Sequence, residues 1–178
     1  VSDAWSTEIL MRELTTLYQA FSQGESSPLP EIPIQYGDYA IWQRQWLSGD
    51  VLKQQLDYWK AQLAGAPTVL ELRTDRPRPQ IQTYNGATQR FYINQALTGP
   101  LKALTGTENV TLFMVLLTTF AVLLYRYTGQ ENLLIGTSIA NRNRKEDESL
   151  IGFFLNTLAL RINMADKPTF LELLSRVI

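Results

Sequence analysis

The longest apolar run of the sequence, LFMVLLTTFAVLLY at residues 112–125, places the strongest constraint on the fold. A helix that spans a bilayer needs about 20 apolar residues, whereas this run is shorter and contains two threonines. It therefore predicts a core helix that other elements must cover. Gly129 follows the run and supplies a stop signal for that helix.

Helical patterns also fill the first third of the chain. Apolar side chains recur at helical spacing in residues 2–21, 36–50 and 51–65, and Ser2 or Asp3 stands where an N-cap belongs. These segments predict three helices, with a break between the second and the third at the Ser-Gly-Asp sequence that joins them.

After this part the pattern becomes mixed. The prolines within residues 74–87 predict an extended connector, because each proline biases the preceding residue away from helix. Strand patterns follow at 88–94, 132–140 and 156–164, helix patterns at 95–106, 111–129 and 169–178, and a polar loop at 141–149. This alternation predicts an α/β protein with a layered sheet.

The composition excludes several classes of function. The chain has no cysteine and no histidine, which rules out disulfides, thiolate chemistry and Cys/His zinc sites, and no metal site is expected. Its net charge of −1 gives no electrostatic reason to bind nucleic acid or an anionic membrane. With no signal-like segment in the sequence, we expect a cytoplasmic protein that binds neither nucleic acid nor membrane.

Four short stretches have residues that suit a functional site. They are SDAWS (2–6), YGDYAIW (36–42), SIANRNRKEDES (138–149) and IGFFLNT (151–157). Each also has a purely structural interpretation: a helix cap, a helix start with its acid near the positive dipole end, a solvated loop, and a glycine turn into a strand. No phosphate-binding loop, dinucleotide motif or Ser-His-Asp set is present beside them.

Taken in order and at these separations, the stretches resemble the condensation domain of non-ribosomal peptide synthetases. VSDAWS is similar to the tail of the family motif His-His-x-x-x-Asp-Gly-x-Ser, and YGDYAIW to Tyr-x-Asp-x-Ala-Val-Trp. IGFFLNTLALR is similar to Ile-Gly-x-Phe-x-Asn-Thr-x-x-x-Arg at nearly every position, and the connecting text WKAQLAGAPTVLELRTDRPRP also resembles the family. The resemblance runs from Val1 to Ile178.

The resemblance implies the chloramphenicol-acetyltransferase-like fold, in which two similar α/β lobes flank the active site. The chain would hold the end of the first lobe (1–73), a connector (74–87) and the first half of the second lobe (88–178), so that the fold is incomplete within it. Because Val1 is not a methionine and the last residues stop within a helical pattern, we expect the chain to be a piece of a longer protein.

The implied activity is peptide-bond formation between acyl or peptidyl and aminoacyl thioesters held on two carrier domains. No cofactor would be bound covalently, since the 4'-phosphopantetheine is presented by donor and acceptor peptidyl carrier domains of a synthetase that also has an adenylation domain. The two motif histidines would precede Val1, so that the chain alone would lack the catalytic histidine and be inactive.

The resemblance also assigns roles to residues that are present. Asp3 would be the structural acid of the central motif, paired with Arg142 or, as the alternative, with Arg161. Gly152, Asn156 and Thr157 would lie along the pantetheine tunnel. The motif residues Tyr36, Asp38 and Trp42 would be structural.

Two alternatives remain open on the sequence. Ala4 stands where the family motif usually has glycine, so the turn there must tolerate an L-residue. Ser6 follows Asp3 at the spacing of heterocyclisation domains, so one alternative is a heterocyclisation or epimerisation relative or a stand-alone acyltransferase. A non-catalytic relative that recruits a partner protein is the other. The residues before Val1 would decide between these functions, because two histidines there indicate catalysis and other residues indicate recruitment.

Overall fold

In the computed structural model, which describes residues 2–77 and 79–177, Asp3 caps the first helix. The Asp3 carboxylate accepts the backbone N–H of Ser6 at 2.8 Å, so helix α1 (Ala4–Ser22) begins at the predicted position. Val1, Arg78 and Ile178, which belong to the predicted first lobe, connector and last helix, lie outside the described residues.

Helices α2 (Tyr36–Trp46) and α3 (Gly49–Leu63) follow, separated at the predicted break. The carboxylate of Asp38 accepts the Gln35 N–H at 2.8 Å and so closes the first turn of α2. This contact gives the motif aspartate of YGDYAIW a structural role at the helix start.

The later elements mostly agree with the sequence. They are α4 (Gln95–Glu108), α5 (Leu112–Thr128), β1 (Asn132–Ile139), a 3-10 helix (Lys145–Ser149), β2 (Asn156–Asn163) and α6 (Phe170–Val177). β1 and β2 form a two-stranded sheet. Gly129 ends α5 in the left-handed conformation at φ 71°, which a residue without Cβ adopts without strain.

The prediction of a strand at residues 88–94 is wrong. This segment has no regular structure, and Phe91 and Tyr92 are 79% and 93% exposed. Its alternating pattern favours an extended chain, but a strand also needs a neighbour whose backbone it can pair with, and no such neighbour exists among the described residues.

Two units account for the internal packing of the chain. The first consists of Val1–Ala64 and Gly136–Ala159, and the second of Gly65–Ile135 and Leu160–Ile178. Each strand passes from one unit to the other, so each unit contains part of the strand pair. The lobe limits proposed from the resemblance concern the complete domain and stay a prediction.

Helix α5 supplies the core of the second unit, but only one of its faces is buried. The buried cluster comprises Leu117, Ala121, Leu124, Leu133, Ile162, Met164 and Leu173. On the other face Phe113 and Phe120 are 54% and 47% exposed, so the described residues do not cover the helix on all sides as its composition predicts.

Helix α5 is the most apolar of the described helices and has 17 residues. Within residues 2–77 and 79–177, no single helix is long and apolar enough to cross a membrane. Helices α4 and α5 reach the length and apolar composition of a membrane span only when they are taken as a pair, and that pair is bent by 110° at the break between them.

Candidate functional site

Asp3 and Arg142 form a buried ion pair in the first unit. Arg142 Nη2 lies 3.2 Å from Asp3 Oδ1, and the two side chains of Arg142 and Asp3 are 1% and 4% exposed. Of the two arginines that the sequence offers, the structure therefore places Arg142 beside Asp3. Arg161 lies in the second unit, where its guanidinium donates to Oδ1 of Asn132 at 3.3 Å.

The Asp3 carboxylate accepts further hydrogen bonds that fix its ionisation state. Its donors include the N–H and the hydroxyl of Ser6, at 2.8 and 2.7 Å, and the N–H of Phe154 at 3.1 Å. Burial acts to raise the pKa of Asp3. The hydrogen bonds from Ser6 and Phe154, together with Arg142, outweigh burial and hold the pKa well below its ordinary value. Asp3 is thus a stable anion and unsuited to accept a proton near neutral pH.

Ser6, which the sequence left outside the candidate site, is its most connected side chain. It is fully buried, and its Oγ lies 2.7 Å from Oδ1 of Asp3 and 2.7 Å from the carbonyl oxygen of Gly152. The same oxygen accepts from the Gly152 N–H at 3.0 Å and from Arg142 Nη2 at 2.9 Å. The single hydroxyl proton serves one of the two acceptors at a time. The only sequence signal for this role is that Ser6 is the last residue of the central motif.

The remaining contacts of Arg142 tie the polar loop to the same centre. Its Nη1 donates to the carbonyl oxygen of Leu150 at 2.8 Å and to that of Asp147. The guanidinium carbon lies 4.0 Å from the centre of the Phe154 ring and 5.7 Å from that of Trp5. Arg142 therefore holds the loop backbone and the start of α1 together.

Gly152 and Tyr36 join two further motifs of the sequence. The Tyr36 ring packs directly against Gly152, and its hydroxyl donates to the carbonyl oxygen of Phe153 at 2.8 Å. A Cβ on Gly152 would lie 2.1 Å from the ring, so this position needs glycine for space. The sequence suggested a glycine turn here, and the reason is close approach rather than an unusual φ.

Trp42 and Asn156 lie farther along the same unit. Trp42 packs on Tyr39 with ring centres 5.8 Å apart, and the guanidinium of Arg144 lies 3.5 Å above its indole. The Asn156 side chain accepts the N–H of Thr157 at 2.8 Å, which is a local contact at the start of β2. The contribution of Asn156 and Thr157 to a pantetheine tunnel stays a prediction.

These residues can hold neighbouring segments in position, but they do not offer a group for proton transfer. The sequence contains no histidine, and Asp3 keeps its charge. Among the described residues no group of three or more acidic side chains could hold a metal ion. The site is a rigid polar centre that holds the residues before α1, the polar loop and the turn at Gly152 in fixed relation.

Comparison with known proteins gives the same family from sequence and structure. A family model described as Condensation domain matches residues 1–178. One of the linear gramicidin synthase proteins of Brevibacillus parabrevis is 54% identical over 176 residues, which cover 99% of this chain and 4% of that synthase protein. Malpinin synthetase from Mortierella alpina is 52% identical over 177 residues, which cover 99% of this chain and 2% of the synthetase. The chain thus spans a small part of the curated relatives it matches.

Solved structures show the fold. The X-domain from teicoplanin biosynthesis has a TM-score of 0.91 and 27% identity, over 99% of this chain and 40% of that one. A four-domain non-ribosomal peptide synthetase, holo-AB3403 bound to AMP and glycine, has a TM-score of 0.86 and 26% identity, over 99% of this chain and 13% of that one. The predicted chloramphenicol-acetyltransferase-like α/β fold is confirmed, and the chain holds part of it.

Proposed function

The chain belongs to the condensation-domain family, and on that premise we propose that it is part of a domain that forms peptide bonds in non-ribosomal peptide synthesis. The amine of a carrier-bound aminoacyl thioester attacks the carbonyl of a carrier-bound acyl or peptidyl thioester. An amide bond forms, the C–S bond of the donor thioester breaks, and the proton lost by the amine ends on the sulfur of the donor carrier's thiol, which leaves. The observation that carries the proposal is the buried contact of Asp3 and Ser6 with Arg142 and Gly152, which joins two of the family motifs and the polar loop.

In this reaction the chain supplies position rather than proton transfer. The residues before Asp3 are where the family resemblance places the catalytic histidine. Because Asp3 is bound by Ser6, Phe154 and Arg142, the chain enters α1 along one fixed path. A thioester is already activated, so holding amine and carbonyl in line can supply much of the rate.

The proposed partners are donor and acceptor carrier domains and an adenylation domain of the same synthetase. They would bring the 4'-phosphopantetheine arms, and Gly152, Asn156 and Thr157 would line their path. The multidomain synthetase among the structural neighbours supports this setting. We place the protein in the cytoplasm, where such carrier-bound intermediates would be made.

A second candidate is recruitment of another protein without catalysis. One structural neighbour favours it. The teicoplanin X-domain, which is 27% identical to this chain with a TM-score of 0.90, was solved in a complex with OxyB. The 54% identity to a linear gramicidin synthase protein favours the catalytic proposal. An epimerisation or heterocyclisation relative would share the fold and differ in the reaction.

The test begins with the coding sequence that precedes Val1. Two adjacent histidines at the beginning of the central motif support catalysis, and their absence supports recruitment. The protein that carries this chain is then incubated with a loaded donor carrier and a loaded acceptor carrier, and the acceptor is analysed by intact mass. A mass gain equal to the donor acyl group supports condensation. Epimerised or cyclised product, or unchanged carriers, would contradict it.

A further inference from the structure

A cavity of about 550 Å³ lies in the first unit between α2, α3 and the polar loop. Its volume lies in the range of small-molecule sites. Much of its wall consists of aromatic and aliphatic side chains, namely those of Tyr39, Trp42, Trp46, Leu52, Leu56 and Trp59. The polar centre around Asp3 does not line the cavity, but Trp42 and Asn156 of the site described above do.

Asp147 lines this cavity and is the feature that points to a ligand. It is 2% exposed, and its Oδ1 has no hydrogen-bond partner among the described residues. The only carboxylates in ion pairs within residues 2–77 and 79–177 are those of Asp3 and Asp57. A buried carboxylate oxygen without a donor is costly, and a bound donor would relieve that cost.

Neither neighbouring arginine side chain bonds to Oδ1 of Asp147. Arg142 lies with its Nη2 at Asp3 and its Nη1 on backbone carbonyls, and it touches Asp147 only through the main-chain oxygen. Arg144 is stacked 3.5 Å above the indole of Trp42. Burial raises the pKa of Asp147, although the charge and the backbone N–H of Arg144 and the charge of Arg142 act against that rise. A further cation at the carboxylate would lower its pKa again.

The aromatic wall adds attraction for a cation. Indole faces bind ammonium and guanidinium groups, and Arg144 already makes such a contact with Trp42. Trp46 stacks on Trp42 with centres 5.5 Å apart and is itself 50% exposed, and Trp59 lines the same cavity. Indoles beside a buried carboxylate oxygen that lacks a donor form a site for a positive charge on an apolar body.

We propose that this cavity binds a small organic ammonium compound, with the ammonium group at Asp147 and the apolar body against Trp46 and Trp59. Amino acids and their esters belong to this class of compound. The inference concerns binding alone and does not depend on the proposed condensation reaction.

Two probes of similar size and shape test the proposal. Phenethylammonium carries the charge, and phenethyl alcohol is its neutral counterpart. The protein that carries this chain is titrated with each probe, and binding is followed by calorimetry and by the change in tryptophan fluorescence. We expect saturable binding, with the ammonium probe about tenfold tighter than the alcohol, as for a hydrogen bond to a charged group.

Variants locate the site. Asp147→Asn removes the charge and keeps the shape, so it should weaken the ammonium probe about tenfold and leave the alcohol unchanged. Glu148→Gln removes an exposed carboxylate next in sequence and should change neither affinity. Equal binding of the two probes to the unaltered protein, a comparison that needs no variant to fold, would overturn the proposal. So would the absence of saturable binding, which would mean that the rest of the domain fills the cavity.

Discussion

Gly152 and Tyr36 are in van der Waals contact that leaves no room for a single added carbon. A Cβ on Gly152 would lie 2.1 Å from Cδ2 of Tyr36, far inside the normal contact distance. The tyrosine hydroxyl also binds the carbonyl oxygen of Phe153 at 2.8 Å. The start of α2 is therefore held against the turn that bonds to Ser6 and Asp3, although the two segments are far apart in sequence.

Gly152→Ala should lower the free energy of unfolding by about 1–3 kcal/mol, since the added methyl group must displace the Tyr36 ring or the backbone. The measurement is denaturant unfolding of the complete domain. Gly37→Ala is the matched control, because a Cβ there would meet nothing within 4 Å and alanine favours helix. If Gly152→Ala is as stable as Gly37→Ala, the close packing of Tyr36 is not a constraint.

Asp3→Ala should damage stability at least as much as catalysis. It leaves Arg142 buried without its counter-ion and removes the cap of α1, a loss of about 3–5 kcal/mol. Melting temperature and peptide-bond formation should fall together. Asp57→Ala is the control, because its pair with Lys53 is exposed and should contribute less than about 1 kcal/mol. A stable but inactive Asp3→Ala protein would instead make Asp3 a direct catalytic group.

The response to pH should differ in sign for the two buried aspartates. The pKa of Asp3 is lowered in the folded state, so its unfolded state binds more protons and its contribution to stability is lost as pH falls below about 3.8. The pKa of Asp147 is raised, so stability falls as pH rises from 3.8 through its folded pKa.

Unfolding free energies across pH 2 to 8 separate these two effects. Asp3→Asn should flatten the acid side of the profile, and Asp147→Asn should remove the decline above about pH 4. A profile for Asp147→Asn that runs parallel to that of the unaltered protein would show that Asp147 is not buried as an acid.

The polypeptide 1–178 by itself should fold poorly. Apolar side chains stand exposed along α1, where Leu14 and Phe21 are 57% and 59% exposed, and along α5, where Phe113 is 54% exposed. Such continuous apolar faces usually belong to contacts with other parts of a protein. Purified 1–178 should bind a hydrophobic dye and melt over a broad range. A monomer with a sharp cooperative melt would contradict this.

The sequence predicted the helices and two of the three strands because their signals are local. Asp3 as a cap, Gly129 as a stop and the Ser-Gly-Asp break all act within one helical turn. Strand 88–94 failed because its pairing depends on another segment. The pattern of a strand does not show whether a partner is present.

Most candidate residues were found through a family motif, whereas the roles of Ser6 and Asp147 depend on tertiary contacts. Ser6 resembles any serine near a helix start, and its role depends on Gly152, 146 positions away. Asp147 stands in the run KEDES, which predicts a solvated loop, yet it is buried. Arg142 was the preferred partner of Asp3 and Arg161 the alternative, and the fold pairs Asp3 with Arg142.

The last prediction concerns Asn156, whose side chain binds the Thr157 N–H at the start of β2 and also lines the aromatic cavity. If the proposed pantetheine path includes it, Asn156→Ala removes one neutral hydrogen bond to the arm. The apparent free energy of binding of carrier-bound substrates should then weaken by about 1–2 kcal/mol. The measurement is condensation rate against acceptor-carrier concentration in the complete domain, with a thermal melt of the same sample.

Asn163→Ala is the control for the local effect of such a change. Asn163 closes β2, and its Oδ1 accepts the Ala165 N–H at 2.8 Å, the same kind of contact that Asn156 makes with Thr157. If both variants shift the melt equally and only Asn156→Ala raises the carrier concentration needed, the amide contacts the arm. If the rates are unchanged, or if Asn156→Ala lowers the melt while carrier use stays normal, Asn156 serves only the turn that begins β2.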